Sequence, residues 1–150
     1  MGEKAWKPKA GQIDYTNVRW APVINCVVQH ENKILLVQRS EKLGFYPGYW
    51  NGISGFLDDQ RSLEEKVRDE LREEAGITGN VITSIRLGAI FHQEDPKYGK
   101  TWIVHPVLVE VKAEKVILNW EARGYQWIAP EEAKTLNLLP GFDKVLATFF

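Results

Sequence analysis

Three glutamates near the middle of the chain share a helical spacing, because Glu73 and Glu74 follow Glu70 by three and four residues. An α-helix turns once in about 3.6 residues, so this spacing places the three carboxylates on one helix face. Like charges at these separations repel one another and destabilise a helix that has no compensating partner. A hard divalent cation such as Mg²⁺ is a natural counterion, since it takes oxygen ligands and bridges to substrate phosphates. The spacing therefore predicts a metal-binding helix face.

Both ends of this helix are also marked in the sequence. Ser62 and Glu65 form a capping-box pattern, and Gly76 stands where a left-handed residue commonly ends a helix. An apolar stripe at helical spacing faces inward and consists of Leu63, Val67, Leu71 and Ala75. The sequence thus predicts a helix over residues 62–75, preceded by a strand-like run at residues 50–57 and a loop.

The remaining segments predict several strands and two further helices. We expect strands at residues 23–29 and 34–38, joined as a hairpin, and at 81–91, 101–111 and 125–128. We expect loops at residues 44–48, 92–100 and 114–121, and helices that begin at Pro130 and at Phe142. Pro106 indicates an edge, a bulge or a strand end. This order of elements predicts an α/β fold with a mixed sheet between helices.

With the strand, loop and acidic helix in place, residues 55–77 resemble the motif of the Nudix hydrolase family. That motif reads G-x5-E-x7-R-E-U-x-E-E-x-G-U, where U is aliphatic. The matching residues are Gly55, Glu70, Leu71, Glu73, Glu74, Gly76 and Ile77. Arg61 replaces the first glutamate of the motif, and Asp69 replaces its arginine. The segments VINCVVQHENKILLVQRS and NWEARGYQWIAPEEA also resemble the family, so the likeness extends from about Val23 to the end.

The resemblance implies an α/β/α sandwich and hydrolysis of the diphosphate linkage in a nucleotide derivative. It implies Mg²⁺, or Mn²⁺ in its place, held by Glu73 and Glu74, with Glu70 as a further ligand or as the base that positions water. Arg39 and Gly55 are implied as substrate-binding residues. A later acid often completes such a metal site.

Glu110 fits the position of that later acid best, and Glu94 and Asp95 in the predicted 92–100 loop are rivals for it. The resemblance leaves the substrate open among an oxidised nucleoside triphosphate, a nucleotide sugar such as ADP-ribose, a dinucleoside polyphosphate and a capped RNA end.

The two departures from the motif leave alternatives for the chemistry. In the family the motif arginine orients the glutamate that follows it, and an ionised Asp69 cannot donate a hydrogen bond to Glu70. Either Arg68 or another donor takes over, Asp69 joins the metal site, or turnover is slow. We expect Arg61 to be an exposed loop residue.

Two other functions compete with hydrolysis. One is a Nudix-fold module that senses a nucleotide without turning it over. The other is a prenyl-diphosphate isomerase of the same fold, which needs a catalytic cysteine close to the motif. Cys26 lies too early for that role, in an apolar run typical of a buried position.

Length, net charge and cysteine content limit the expected number of domains, the partners and the location of the protein. The 150 residues predict one domain with residues 1–20 as an N-terminal arm. The net charge of −1 offers no basic face for DNA, so a small nucleotide is the expected partner. We expect no membrane span, and the single cysteine fits a cytoplasmic location. The arm, with Trp6 and Trp20, is a candidate surface for a homodimer.

Overall fold

The computed structural model describes residues 13–150, so Trp6 and the first part of the predicted arm lie outside the described residues. The strands are β1 (Trp20–His30), β2 (Lys33–Arg39), β3 (Trp50–Asn51), β4 (Ile53–Phe56), β5 (Ile82–Leu87), β6 (Phe91–Asp95), β7 (Lys100–Val111) and β8 (Ala122–Ile128). The helices are α1 (Leu63–Ala75) and α2 (Phe142–Phe149). Both fall short of what a helix needs to traverse a lipid bilayer.

The long strand β1 organises the sheet. One edge of β1 pairs in parallel with β7 along ten residue pairs. The other edge pairs antiparallel with β4 at residues 23–26 and with β2 at Gln29 and His30. β2 and β4 therefore pair with different stretches of the same edge of β1, and a gap opens between the two strands. The mixed sheet is completed by β3 and β8 beside β2, and by β5 and β6 beside β7.

Helices cover both faces of this sheet. Side chains alternate along a strand, so Cys26 packs beneath α1 with Val67, whereas Val27 packs on the opposite face with Phe142 and Val145 of α2. The predicted α/β/α sandwich is therefore confirmed. Cys26 is fully buried, and burial raises the pKa of its thiol well above the ordinary value.

The helix α1 has the ends that the sequence predicts. The backbone N–H of Glu65 donates to Ser62 Oγ at 3.1 Å, and the backbone N–H of Ser62 donates to Glu65 Oε1 at 3.1 Å. Gly76 ends the helix with φ of 66°, in the left-handed region that favours glycine. Local sequence thus sets both ends of the acidic helix.

The second half of the chain departs from expectation in two places. The predicted loop at 92–100 was wrong for residues 92–95, which together with Phe91 form β6 and pair with β7. Pro130 begins a short 3-10 helix (Pro130–Thr135) rather than an α-helix.

Pro106 lies inside β7, at the point where the outer neighbour of β7 changes. Val104 pairs with Phe91 of β6, and Val107 pairs with Leu87 of β5. The carbonyl of Pro106 accepts a bond from the Gly88 backbone N–H at 2.8 Å. A proline is tolerated here because the pairing on that side is interrupted.

The described part of the predicted arm is anchored to the domain. Tyr15 stacks on Phe56 with ring centroids 4.5 Å apart. The buried ammonium of Lys100 donates to the carbonyls of Tyr15, Thr16 and Val18. These contacts place residues 15–18 against β4 and β7, where they support one wall of the cavity described next.

Candidate active site

A cavity opens where β2 and β4 separate. Its lining combines the ends of these strands with the loop at residues 43–46, the acidic face of α1 and residues 120–121. Of the predicted site residues, the cavity wall includes Arg39, Gly55, Glu70 and Glu73. Glu74 lies behind this wall, next to Glu70, and is buried. The structure therefore brings these five predicted residues together.

Gly55 allows Glu70 to approach the backbone of β4. A Cβ atom built at Gly55 would lie 2.6 Å from both Cδ and Oε1 of Glu70, which is closer than atoms can pack. The position of the Glu70 side chain therefore requires a glycine at residue 55. The two residues are 15 positions apart in sequence and belong to the same motif.

The carboxylate of Glu70 has a cationic partner inside the cavity. Nζ of Lys66 lies 3.3 Å from Glu70 Oε1 and 3.7 Å from Asp58 Oδ1. The Lys66 and Asp58 side chains are each only 5% exposed. The donor that serves Glu70 is therefore Lys66, which the sequence analysis did not identify although it precedes Glu70 by one helical spacing of four residues.

Glu74 is the most deeply buried acid of the cluster. Its Oε2 atom is buried without a hydrogen-bond partner. Burial raises the pKa of Glu74 well above its ordinary value, and a hydrogen bond with Glu70 and the charges of Glu121 and Glu70 raise it further. The Arg39 guanidinium opposes this shift only in part. Glu74 is therefore a carboxyl group whose charge lacks sufficient compensation.

Glu73 differs from its two neighbours by its exposure. Its side chain is 41% exposed, and its Oε1 atom lies 3.7 Å from Nη2 of Arg72. The three glutamates consequently form a gradient from a buried site behind the cavity to its solvent side.

Arg39 lies at the end of β2 and helps to shape the cavity. Its Nε and Nη2 atoms donate to the carbonyl of Phe45 at 2.9 and 2.7 Å. Burial lowers the pKa of Arg39, and the nearby charges of Glu74 and Glu121 oppose the shift. Arg39 therefore fixes the loop that carries Phe45 while its charge faces the acidic cluster.

The structure does not bring Glu110 to this cluster. Glu110 lies six residues beyond Val104 on β7, roughly 20 Å along the strand, and is exposed. It is not among the residues that line the cavity, whose β7 members are Trp102 and Val104. We therefore correct the expectation that Glu110 completes the metal site.

The two rivals of Glu110 are engaged elsewhere. Asp95 is buried and accepts hydrogen bonds from the Tyr46 hydroxyl and from Trp102 Nε1, both at 2.8 Å. Glu94 accepts a bond from Thr101 and lies 3.6 Å from Arg19 at the surface. Neither acid lines the cavity.

Glu121 is the additional acid that the structure places at the site. It lines the cavity, and its charge contributes to the raised pKa of Glu74. The backbone N–H of Ser40 donates to the Glu121 carbonyl at 2.8 Å, which fixes the segment before β8 next to the end of β2. Sequence reasoning read residues 114–121 as an ordinary loop. The only available signal was its place in the family-like segment NWEARGYQWIAPEEA.

Aromatic and amide groups form the other end of the cavity. Phe45 packs edge-on against Trp102, with ring centroids 5.2 Å apart, and Phe56 lies beside both rings. Asn25 Nδ2 donates to Asn51 Oδ1 at 2.9 Å, while Asn25 Oδ1 is buried without a partner. This end therefore offers flat apolar surfaces, and the lining also includes the amide side chains of Asn25 and Asn51.

The two residues that depart from the family motif bind each other. Arg61 donates through Nη1 to Asp69 Oδ2, and Asp69 also accepts from Arg72 Nη1 at 2.9 Å. Bonds to Asp59 raise the pKa of the Arg61 guanidinium, and the charge of Asp69 adds to this. Arg68 pairs with Glu64 instead of Glu70. The ion pair thus keeps two opposite charges at the two motif positions, with their order reversed.

This pairing predicts a pattern of coupled effects. Arg61→Glu or Asp69→Arg alone places like charges together, so each variant should be less stable than wild type. The double variant R61E/D69R restores opposite charges at this contact and should recover part of the loss, with a coupling of up to about 1 kcal/mol because the pair is partly exposed. The recovery is incomplete because Asp59 and Arg72 then face like charges. Denaturant unfolding of the four proteins measures this coupling. Strictly additive effects would show that the contact contributes nothing.

The donor set of the cluster fits a hard divalent cation. Within residues 13–150, no three His, Cys, Asp or Glu side chains stand close enough to hold a metal ion unaided. Mg²⁺ nevertheless uses one or two carboxylates in many sites and completes its shell with waters and substrate phosphates. The buried, unpartnered Oε2 of Glu74 is an acceptor that such a cation would satisfy.

Comparison with known proteins agrees with this architecture. The model of the NUDIX domain family matches residues 19–149. The nucleoside triphosphatase NudI of Salmonella paratyphi B is 24% identical over 129 residues, which are 81% of this chain and 90% of that protein.

Two solved structures show the same fold. The MutT NUDIX hydrolase from Burkholderia pseudomallei has a TM-score of 0.73 at 18% identity and covers 88% of this chain and 99% of its own. The NUDIX domain of Shewanella oneidensis NrtR, solved with ADP ribose, has a TM-score of 0.68 at 18% identity and covers 95% and 90%.

The fold and the acidic helix beside the cavity, together with the family match, identify the class of the protein as a hydrolase of diphosphate-containing compounds. The chain belongs to the NUDIX family and is an enzyme of the Nudix pyrophosphohydrolase class. Enzymes of this family act on derivatives of nucleoside diphosphates and generally use divalent metal ions.

Proposed function

We propose that the chain hydrolyses the diphosphate linkage of a small nucleotide derivative with the help of Mg²⁺. The observation that carries the proposal is Glu74, a buried acid with a free Oε2 atom beside Glu70 and the cavity. Such an unpaired carboxyl group destabilises a protein unless a cation or proton compensates it. A divalent cation is the compensation that also serves a diphosphate substrate.

The remaining residues have distinct proposed roles. We assign Glu73 and Glu74 as the metal ligands of α1, and Glu121 replaces Glu110 as the acid contributed by another segment. When bound, Mg²⁺ neutralises the diphosphate and favours attack by water at phosphorus. Of its two expected roles, ligand or base, we assign Glu70 that of the base that accepts a proton from this water, and Arg39 supplies a fixed positive charge nearby.

The other end of the cavity supports a nucleoside as the organic part of the substrate. Phe45, Phe56 and Trp102 offer faces and edges on which a nucleobase can pack. Trp120, which is 46% exposed at the cavity, supplies a further ring.

A substrate panel tests the proposal directly. Nucleoside triphosphates, oxidised forms of them, ADP-ribose, dinucleoside polyphosphates and a capped RNA end are each incubated with Mg²⁺, with Mn²⁺ or with EDTA. We expect the appearance of nucleoside monophosphate from at least one compound only when a divalent ion is present. Glu94→Gln, which removes an acid outside the cavity, is the matched control and should behave as wild type.

The result that would contradict the proposal is tight nucleotide binding without turnover in either metal. That outcome would mean that the chain senses a nucleotide without hydrolysing it. The Arg61–Asp69 pair and Lys66 would then be features of a protein that has lost its activity.

A further inference from the structure

Lys66 is a buried cation within the acidic cluster. Its ammonium lies between Asp58 and Glu70, and the three side chains are 5%, 5% and 12% exposed. Lys66, Glu70 and Glu74 follow one another at intervals of four residues, so they form one row along α1. Lysine is rarely buried unless it is paired, and here both partners are carboxylates.

The other cations of α1 show that this arrangement is particular to Lys66. Arg68 pairs with Glu64 and Arg72 pairs with Asp69, in both cases on the outer side of the helix. The Arg68 and Arg72 side chains are 42% and 54% exposed, and neither lines the cavity. Only Lys66 among the three directs its charge toward the cavity.

We propose that the Lys66 ammonium is a built-in cation that takes the place of one divalent ion on the Asp58–Glu70 side of the cluster. The inference rests on the proposed metal-dependent function. It predicts that the site binds one divalent ion fewer than it would without Lys66. A protonated lysine has no lone pair for a metal, and it competes for the same carboxylate oxygens. The divalent ion is therefore confined to the side of Glu74, Glu73 and Glu121.

A fixed ammonium also changes the positive charge that the site offers to a diphosphate substrate. Lys66 lines the cavity, so its charge is available to a diphosphate at every Mg²⁺ concentration. A bound metal ion provides charge only in proportion to its occupancy. The structure thus combines one permanent and one exchangeable source of positive charge.

Counting bound Mn²⁺ by electron paramagnetic resonance tests the inference without any turnover. We expect Lys66→Met to bind one more Mn²⁺ ion per chain than wild type, because Asp58 and Glu70 become free to act as ligands. Arg68→Met is the matched control, since it removes a carboxylate-paired cation from the outer side of the same helix. It should bind as many ions as wild type.

The possible results separate this inference from the proposed function. Absence of Mn²⁺ binding by wild type would contradict the metal-dependent function itself. Binding by wild type with an unchanged count in K66M would overturn the role of Lys66 alone.

A second variant decides the matter if K66M does not fold. Asp58→Asn should leave the Mn²⁺ affinity of the protein unchanged, because Asp58 serves the ammonium rather than the metal. A weakening of about tenfold or more would identify Asp58 as a metal ligand and reject the inference.

Discussion

Glu74→Gln should lower kcat for metal-dependent hydrolysis by about 100-fold or more, since a neutral amide binds a hard cation poorly. The amide keeps the size of the side chain, so the helix and the cavity should be preserved. Steady-state kinetics at saturating Mg²⁺ and with the best substrate of the panel measures the effect. Glu64→Gln, an exposed acid on the same helix, is the control. A kcat within about threefold of wild type would remove Glu74 from the catalytic site.

The same substitution should have the opposite effect on stability when metal is absent. The pKa of Glu74 is raised above its ordinary value of 4.5 chiefly by burial, so the folded state favours the protonated form. The contribution of this group to the free energy of unfolding is therefore largest below that value. It declines as pH rises toward the raised pKa of the folded state.

Thermal unfolding in EDTA tests this pH dependence. Glu74→Gln should unfold at a higher temperature than wild type at about pH 8, by the equivalent of about 1–3 kcal/mol, and at nearly the same temperature near pH 4. A stability difference independent of pH would show that the carboxyl charge is compensated in the folded protein. Activity and stability thus make opposing demands on Glu74.

Gly55→Ala should impair the site through Glu70. The added Cβ would lie 2.6 Å from the Glu70 carboxyl group, so this side chain must move away from β4 and from its contact with Lys66. We expect a loss of stability of about 1–3 kcal/mol and a fall in kcat of about 10–100-fold. Denaturant unfolding and steady-state kinetics measure the two effects.

A matched glycine substitution separates this effect from the loss of a strand glycine. Gly124 lies in β8, and a Cβ built there meets nothing within 4 Å. Gly124→Ala should therefore leave both stability and kcat close to those of wild type. Equal effects of the two substitutions would argue against a specific contact between Gly55 and Glu70.

The parts of the site that could be predicted from sequence depend on short-range interactions. The ends of α1 follow from Ser62, Glu65 and Gly76, which act within one turn of the helix. The shared helix face of Glu70, Glu73 and Glu74 follows from their spacing alone. Lys66 was equally visible at four residues before Glu70, but a lysine at that spacing is usually an exposed partner, and its burial is set by the cavity.

The parts that sequence could not give depend on distant segments. Glu121 reaches the site because β8 pairs with β2 and because Ser40 binds the Glu121 backbone, more than 80 residues apart in sequence. Glu110 was favoured by its place after an apolar strand, but it lies six residues beyond Val104, the last residue of β7 that lines the cavity. A single sequence does not show directly which strands pair, and so it does not show that Glu121 lies near the site or that Glu110 lies far from it.

The reversed ion pair between Arg61 and Asp69 bears on how distant members of this family are detected. A search that scores each motif position separately penalises this chain twice, once for each exchanged charge. A score defined on the two positions jointly would count the exchange as one correlated change, because the two residues form an ion pair in this chain. Two departures from a motif can therefore represent one correlated substitution.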